Sequence, residues 1–309
     1  MKGSDLFIRL RRKGREINTA LKISCRNQGL LPAHKNYTRF VIITSIRSGS
    51  TMLGDYLNSH PQVMTFFELF HRYMNNVPFG LRGYDHKSRD PKVVQLRNTD
   101  PVKFLEDHIL TKHSPDTKAV GFKLLYTQAR TSDPWWNGPD FERWWKEVGR
   151  APLLPNDKSD LWSYLKESRD IKIIHLVRRN YLEKTLSAHK AIHSGQWGIG
   201  ATGGFQQDVP LKVRLNYEEL SQDFEAFRRM EEETDEFFRE HSLLKLSYED
   251  LIGNPEDTFE SLFNFLGVPS INPSTNTQKQ NQQCLRESIE NYGELKEKFQ
   301  QTAYNFMFN

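Results

Sequence analysis

Cysteine is almost missing from this chain. Cys25 and Cys284 are its two thiols among 309 residues, too few and too far apart for a zinc spacing or a disulfide framework. Such a chain suits a reducing compartment, and the cytoplasm is the expected location. An excess of one charge is missing too. The formal net charge is +4, which favours anionic ligands without the density of a nucleic-acid surface, so no nucleic acid is expected. No apolar run approaches the roughly 20 residues of a membrane-spanning helix. The opening MKGSDLFIRLRRKGREINTALKIS has no continuous apolar core of a signal peptide. Residues 1–38 read as a basic segment, either a solvated helix or loose arm, or a peripheral contact with anionic lipid or a partner. His60, His71, His175, His189 and His193 show no metal-ligand spacing, so no metal is expected. Internal repeats and low-complexity linkers are absent as well.

What is present describes a globular protein. Hydrophobic residues make up 37% and charged ones 27%, in a chain long enough for one large or two small domains with a substantial core. RFVIITS, from Arg39, has the near-continuous β-branched character of a parallel strand buried on both faces. Met52, Leu53, Tyr56 and Leu57 follow at helical spacing, and His60-Pro61 closes that helix. QVMTFFELF suggests a second short strand, KAVGFKLLY (118–126) a third, IKIIHLV (171–177) a fourth and LLKLSY a fifth. Between the last two lie the helix-like YLEKTLSAHKAIHS, the glycine-rich GQWGIGATGGF and a long amphipathic helix from Tyr217 to His241. In that helix Leu220, Phe224, Phe227, Phe237 and Phe238 fall near one stripe. A further helix is punctuated by Asn254 as cap, Pro255 in its first turn, and Gly267 and Pro269 at its end. Strands alternating with helices predict an α/β fold around a central, mostly parallel sheet. The stretch 78–160, rich in proline, tryptophan and charge, reads as an insertion on the acceptor side of domain 39–309.

The first strand runs into its helix through SIRSGST. A tight strand-to-helix turn aims backbone N–H groups and the positive end of a helix dipole at one point, where an anion binds. Gly49 permits close approach. Ser45, Ser48, Ser50 and Thr51 add hydroxyls, and Arg47 adds a bidentate cation. Nucleotide hydrolases need a glycine at position 44 and a lysine at position 50 of such a loop; this chain has Thr44 and Ser50. Without that lysine a triphosphate is a poor candidate. The plain alternative is a serine-capped helix with a solvated arginine. A second anchor stands in IKIIHLVRRNYLEKTLSAHK, where a strand ends in Arg178 and Ser187 lies nine positions on. Both anchors fall at the carboxyl edge of the sheet, where α/β proteins hold ligands.

These segments resemble a known family. RFVIITSIRSGSTMLGDYL is similar to the phosphosulfate-binding loop of sulfotransferases that use 3′-phosphoadenosine 5′-phosphosulfate (PAPS). IKIIHLVRRNYLEKTLSAHK is similar to their 3′-phosphate-binding segment, and LKLSYEDLIGNPEDTFESLFNFLGV to their C-terminal segment. The spacing is nearest to the bacterial branch that sulfates sugars and glycolipids, the Nod-factor and trehalose sulfotransferases. The resemblance implies a P-loop-like three-layer fold and transfer of a sulfuryl group to an acceptor hydroxyl, without a metal. It implies that Arg47, Ser48, Gly49, Ser50 and Thr51 hold the phosphosulfate and that Arg178 and Ser187 hold the 3′-phosphate. It also implies that Tyr248 lies near the adenine, with Lys279 a further candidate for the phosphate. Many relatives place the serine eight residues after the arginine, a register that selects Arg179 instead. Glu68, after the apolar run VMTFF, is the candidate base, with Arg47 as its catalytic companion; the alternative is a helix cap. His71 is the second candidate base. Lys123 and Trp197 are candidates for touching the acceptor, as are Trp135, Trp136, Trp144, Trp145 and Trp162, although tryptophan at helical spacing is more often core. The glycine-rich loop has the composition of a lid. A P-loop kinase or a non-catalytic binding protein of the same fold are the alternatives.

Overall fold

Five apolar runs become five strands of one sheet. In the computed structural model the described residues are 14, 17–71, 75–81, 83–130, 145–146, 150, 159–194, 212–274 and 284–308. Strands β1 (Thr38–Thr44), β2 (Val63–Glu68), β3 (Ala119–Leu125), β4 (Lys172–Val177) and β5 (Leu243–Ser247) lie in the order β2-β3-β1-β4-β5. Every neighbouring pair is parallel. The helices that matter below are α1 (Ser50–Ser59), α2 (Pro91–Thr99), α3 (Asp160–Glu167), α4 (Tyr181–Ser194), α5 (Tyr217–Phe237), α6 (Tyr248–Gly253), α7 (Pro255–Leu266) and α8 (Tyr292–Phe299).

The unbroken apolar runs are explained by two cores. Side chains alternate across a strand, so Val41 and Ile43 join Phe122, Leu124 and Ile173 on one face, packed against Leu182, Leu186, Phe224 and Phe227 of α4 and α5. Phe40 and Ile42 join Ile174 and Leu176 on the other, against Leu53 and Leu57 of α1 and Phe259, Leu262, Phe263 and Leu266 of α7. Each such side chain contributes about 1.5–3 kcal/mol on burial. The result is a three-layer α/β fold, as the alternation predicts.

Several local expectations meet their structural counterparts. The first helix ends at Ser59 with His60 as its cap residue. Helix α7 starts at Pro255 and stops at Gly267, whose φ of 74° is left-handed. Asn254 stands at the cap position, but its amide donates to the Asp257 carboxylate rather than capping the backbone. The long helix ends at Phe237, four residues before His241. The stretch 78–160 is not an insertion as a whole, because it contains β3, which lies inside the sheet between β2 and β1. Trp162 is fully buried in the core. His175 is also buried: one ring nitrogen lies 2.6 Å from the Tyr126 hydroxyl and the other 2.6 Å from Asp235, which ties α5 to the sheet. Among the described residues, no helix is long and apolar enough to cross a membrane.

The strand order positions the site. The connection leaving β1 runs toward β2 on one side, whereas that leaving β4 runs toward β5 on the other. A crevice opens between the carboxyl ends of such a pair. Thr44 pairs with both Leu125 and Leu176, so the segments leaving β1, β3 and β4 emerge at one edge.

Candidate active site

The turn leaving β1 is held open by its own hydroxyls. Thr44 Oγ1 lies 2.6 Å from the Leu176 carbonyl and 2.5 Å from Ser48 Oγ, which donates to the Ser45 carbonyl at 2.9 Å. Ser48 therefore braces the turn from inside, where the sequence offers it as a ligand donor. Arg47 has φ 58°, a left-handed conformation that costs a side-chain-bearing residue roughly 1–2 kcal/mol. Gly49 has φ 83°, and a Cβ there would come within 2.4 Å of the Tyr248 ring. It caps α1 without any side-chain oxygen. The first N–H groups of a helix have no partner within it, so those of Ser50 and Thr51 begin a helix that no side chain caps.

The second anchor folds onto the first. Arg178, directly after β4, is 8% exposed; it donates to the Arg47 carbonyl at 3.1 Å and stacks 4.4 Å from the centre of the Tyr248 ring. Its Nε is buried with no hydrogen-bond partner among the described residues, while Glu183 of α4 pairs with its outer nitrogen. Arg47 donates from Nε to Ser187 Oγ at 2.9 Å, so its side chain joins the second anchor rather than pointing along α1. Burial, and then the nearby Arg178 charge, push the Arg47 guanidinium down to about 10. Arg179 turns outward, 54% exposed, to pair with Asp250 at 2.8 Å and with Glu249.

On the other flank, β2 carries a bulge. The register passes from Phe66 opposite Phe122 to Glu68 opposite Lys123, skipping Phe67. That extra residue re-aims the strand end and sets the Glu68 carboxylate 2.8 Å from the Lys123 ammonium. Gln128 donates to its other oxygen at 3.2 Å, and Lys123 also reaches Thr51 at 3.4 Å. Burial alone would raise the Glu68 carboxyl; the Lys123 charge and hydrogen bond, then His71 and Gln128, outweigh it and hold the group below the usual carboxylate range. No helix starts at Leu69, so Glu68 is not a cap. His71 is partly buried and its ring is pushed down, chiefly by burial. Its carbonyl, with that of Asn76, accepts from the buried Arg97.

One edge of the sheet thus carries an open helix start, a buried and a half-buried arginine, and an ionised carboxylate locked to a lysine. Residues 40–273 match the profile described as "Sulfotransferase family". The chain belongs to the sulfotransferase family. It is 26% identical over 271 residues to "Nodulation protein H" of Rhizobium tropici, a match covering 87% of this chain and 92% of that protein. Among solved structures it is similar to the sulfotransferase from Alicyclobacillus acidocaldarius, with TM-score 0.43, 13% identity, and 85% of this chain and 91% of the other covered. It is also similar to the sulfotransferase domain from the curacin biosynthetic pathway, with TM-score 0.41, 15% identity, and 76% of each chain covered.

In this sulfotransferase the structure brings together Arg47, Gly49, Ser50, Arg178, Ser187 and Tyr248 around one crevice, with Thr51, Lys123 and Glu68 along its β3 side. Lys279, Trp135, Trp136, Trp144, Trp197 and the glycine-rich loop lie outside the described residues. Trp145 is described: its indole stacks 5.3 Å from Phe227 and donates to Asp223 at 2.6 Å. Among the described residues no cluster of His, Cys, Asp or Glu could hold a metal ion. Sequence reasoning missed Glu183 and Gln128. For Glu183 a signal existed, since N-Y-L-E after the second arginine is a helix-start pattern, and Asn180 accepts from the Glu183 N–H at 2.9 Å.

Proposed function

We propose that this sulfotransferase moves a sulfuryl group from PAPS to a hydroxyl of a carbohydrate or glycolipid acceptor. The observation that carries the donor is the packing of Arg47 and Arg178. Two guanidiniums share a half-buried crevice in which the carboxylate of Glu183 pairs with Arg178, and the buried Arg178 Nε has no hydrogen-bond partner among the described residues. Such a pair asks for a multiply charged anion, and a 3′-phosphate beside Ser187 supplies it. The Tyr248 ring, already stacked on Arg178, gives the adenine a flat neighbour. The N–H groups opening α1 and the Lys123 ammonium then face the phosphosulfate. That group has no β,γ-diphosphate, so the lysine absent at position 50 has nothing to hold.

In the reaction the acceptor oxygen attacks sulfur in line and a new S–O bond forms. The bond from sulfur to the bridging phosphate oxygen breaks, and its electron pair leaves with adenosine 3′,5′-bisphosphate. The acceptor proton passes to Glu68, which the Lys123 charge keeps ionised and able to receive it. Lys123 and the α1 N-terminus offset charge on the sulfuryl and bridging oxygens, and most of the acceleration is placement plus electrostatics. Resemblance to the branch that sulfates sugars and glycolipids supports the acceptor class. Residues 39–309 are read as the catalytic domain, with the parts of 78–160 on either side of β3 as acceptor-side elements, and the scarcity of thiols supports action in the cytoplasm. Incubation with sulfur-35-labelled PAPS and a panel of glycolipids, oligosaccharides and small alcohols tests this. Label is expected on a sugar-bearing acceptor without added metal; label on simple alcohols but no sugar would remove the acceptor assignment.

A further inference from the structure

Behind the anion loop, on the sheet face covered by α4 and α5, lies a cavity of about 100 Å³. At about 30 Å³ of liquid volume per water, its enclosed part has room for about three waters, and the pocket continues into open solvent. Ser45 and Ile46, which open the anion loop, form one of its walls. A larger cavity, about 670 Å³, lies between the ends of α3 and α5, around Arg169 and His241, away from the residues that gather at the carboxyl edge.

Two side chains of α4 reach the smaller cavity unsatisfied. Lys184 is 1% exposed and Thr185 is 7% exposed, and neither Lys184 Nζ nor Thr185 Oγ1 has a hydrogen-bond partner among the described residues. An orphaned buried polar group costs about 1–3 kcal/mol, and a charged one more. The ammonium finds partial compensation over the Phe227 ring, 3.4 Å from its centre. Burial, the largest influence, brings Lys184 down to about 7; Glu231 and Asp223 pull upward while Arg178 pushes down. Asp223 is already taken by Trp145 and by Arg150, which donates at 2.8 Å. What the cavity still lacks is a partner for one amine and one adjacent hydroxyl, in a wall whose charges nearly balance. A phosphate or carboxylate would meet Asp223 there; a neutral polyol would not be repelled, and its hydroxyls both donate and accept.

We propose that this cavity receives the hydroxyl-bearing edge of one sugar ring of the acceptor, with Lys184 Nζ and Thr185 Oγ1 hydrogen-bonded to its hydroxyls and the rest of the ring outside. This rests on the sulfotransferase reading with a carbohydrate acceptor. A ring seated there touches Ser45 and Ile46 at the start of the donor loop and Tyr126 and Thr127 just after β3, the strand that carries Lys123. Sugar recognition then belongs to two residues of the helix that also carries Ser187, the residue assigned to the donor.

The experiment uses the full chain and three methyl glycosides, of glucose, galactose and N-acetylglucosamine, followed by ligand-observed NMR. Wild-type protein, Lys184→Met and Thr185→Val are compared, with adenosine 3′,5′-bisphosphate affinity measured alongside by calorimetry. At least one glycoside is expected to bind the wild type, about tenfold more weakly to Lys184→Met and several-fold more weakly to Thr185→Val, in line with one lost hydrogen bond each. Bisphosphate affinity should stay within about twofold of wild type, a change too small to reflect a lost contact. Methionine removes the unsatisfied amine at similar volume, so Lys184→Met should melt no lower than wild type; if it does not fold, Thr185→Val decides. Absence of glycoside binding to the wild type, or equal binding to the folded variants, overturns the proposal. Failure of the wild type to bind bisphosphate overturns the donor reading instead, and the glycoside comparison still judges the cavity.

Discussion

Arg178→Met is expected to weaken binding of adenosine 3′,5′-bisphosphate by about 100-fold, and Arg179→Met by no more than a few-fold. The contrast follows from where the two side chains point. Arg178 is buried against Tyr248 and the Arg47 carbonyl, whereas Arg179 is 54% exposed and engaged with acids of α6. Hydrogen bonds to a charged partner contribute about 1.5–3 kcal/mol each, and about 1.4 kcal/mol is a factor of ten. A phosphate losing two such bonds in a partly dry crevice reaches about two decades. Methionine keeps the contact with Tyr248, so the loop should stay packed and the loss is one of charge. Isothermal calorimetry on both variants checks this, with melting temperature as the control. A loss in Arg179→Met and none in Arg178→Met would move the assignment to the eight-residue register.

Glu68→Gln is expected to lower sulfuryl transfer by about 10²–10⁴-fold, the usual worth of a positioned base, with bisphosphate affinity nearly unchanged. The pH profile adds a readout that a structural role would not move. The pairing with Lys123 outweighs burial and holds the Glu68 carboxyl below the ordinary glutamate range. Transfer should therefore persist to unusually low pH before the base takes up a proton. In Lys123→Met the counter-charge is gone and burial is left to push the carboxyl up, so the acid limb of the profile moves to higher pH. Stability follows the same sign. A carboxyl depressed on folding stabilises the native state above its unfolded-state value, and that contribution is lost as pH falls through the folded value. Acid unfolding should accordingly begin at higher pH in Lys123→Met. An unchanged acid limb in that variant would retire Glu68 as the proton acceptor.

How much of this was legible beforehand depends on how local the cause is. The strands could be read because a segment buried on both faces must be apolar throughout, as FVIIT and KIIHLV nearly are. The anion loop could be read because its chemistry is contained in seven consecutive residues. Which of Arg178 and Arg179 turns inward depends on packing: Arg178, directly after the strand, is buried, and Arg179 is held outward by acids of α6. The direction of the Arg47 side chain was not legible, because it depends on Ser187, 140 residues away. Nor was the inward turn of Ser48, which answers to Thr44 across the loop. The pairing of Glu68 with Lys123 needed a bulge between Phe66 and Glu68, and VMTFFE carries no glycine to announce one. Lys184 reads as an ordinary solvated position in LEKTLSAHK; its burial comes from α5, whose Phe227 covers it. The five strands and the first anchor were therefore set by short-range pattern, while each refinement of the site came from contacts between distant segments.

The central claim is that the crevice between β1 and β4 holds both ends of an adenosine-based sulfate carrier. Calorimetry of the wild type with adenosine 3′,5′-bisphosphate, adenosine 5′-monophosphate and ATP, without magnesium, tests it most directly. The bisphosphate should bind at least tenfold more tightly than either nucleotide lacking a 3′-phosphate, the difference of about one charge-assisted contact. Equal or tighter binding of ATP, or a requirement for magnesium, would contradict it.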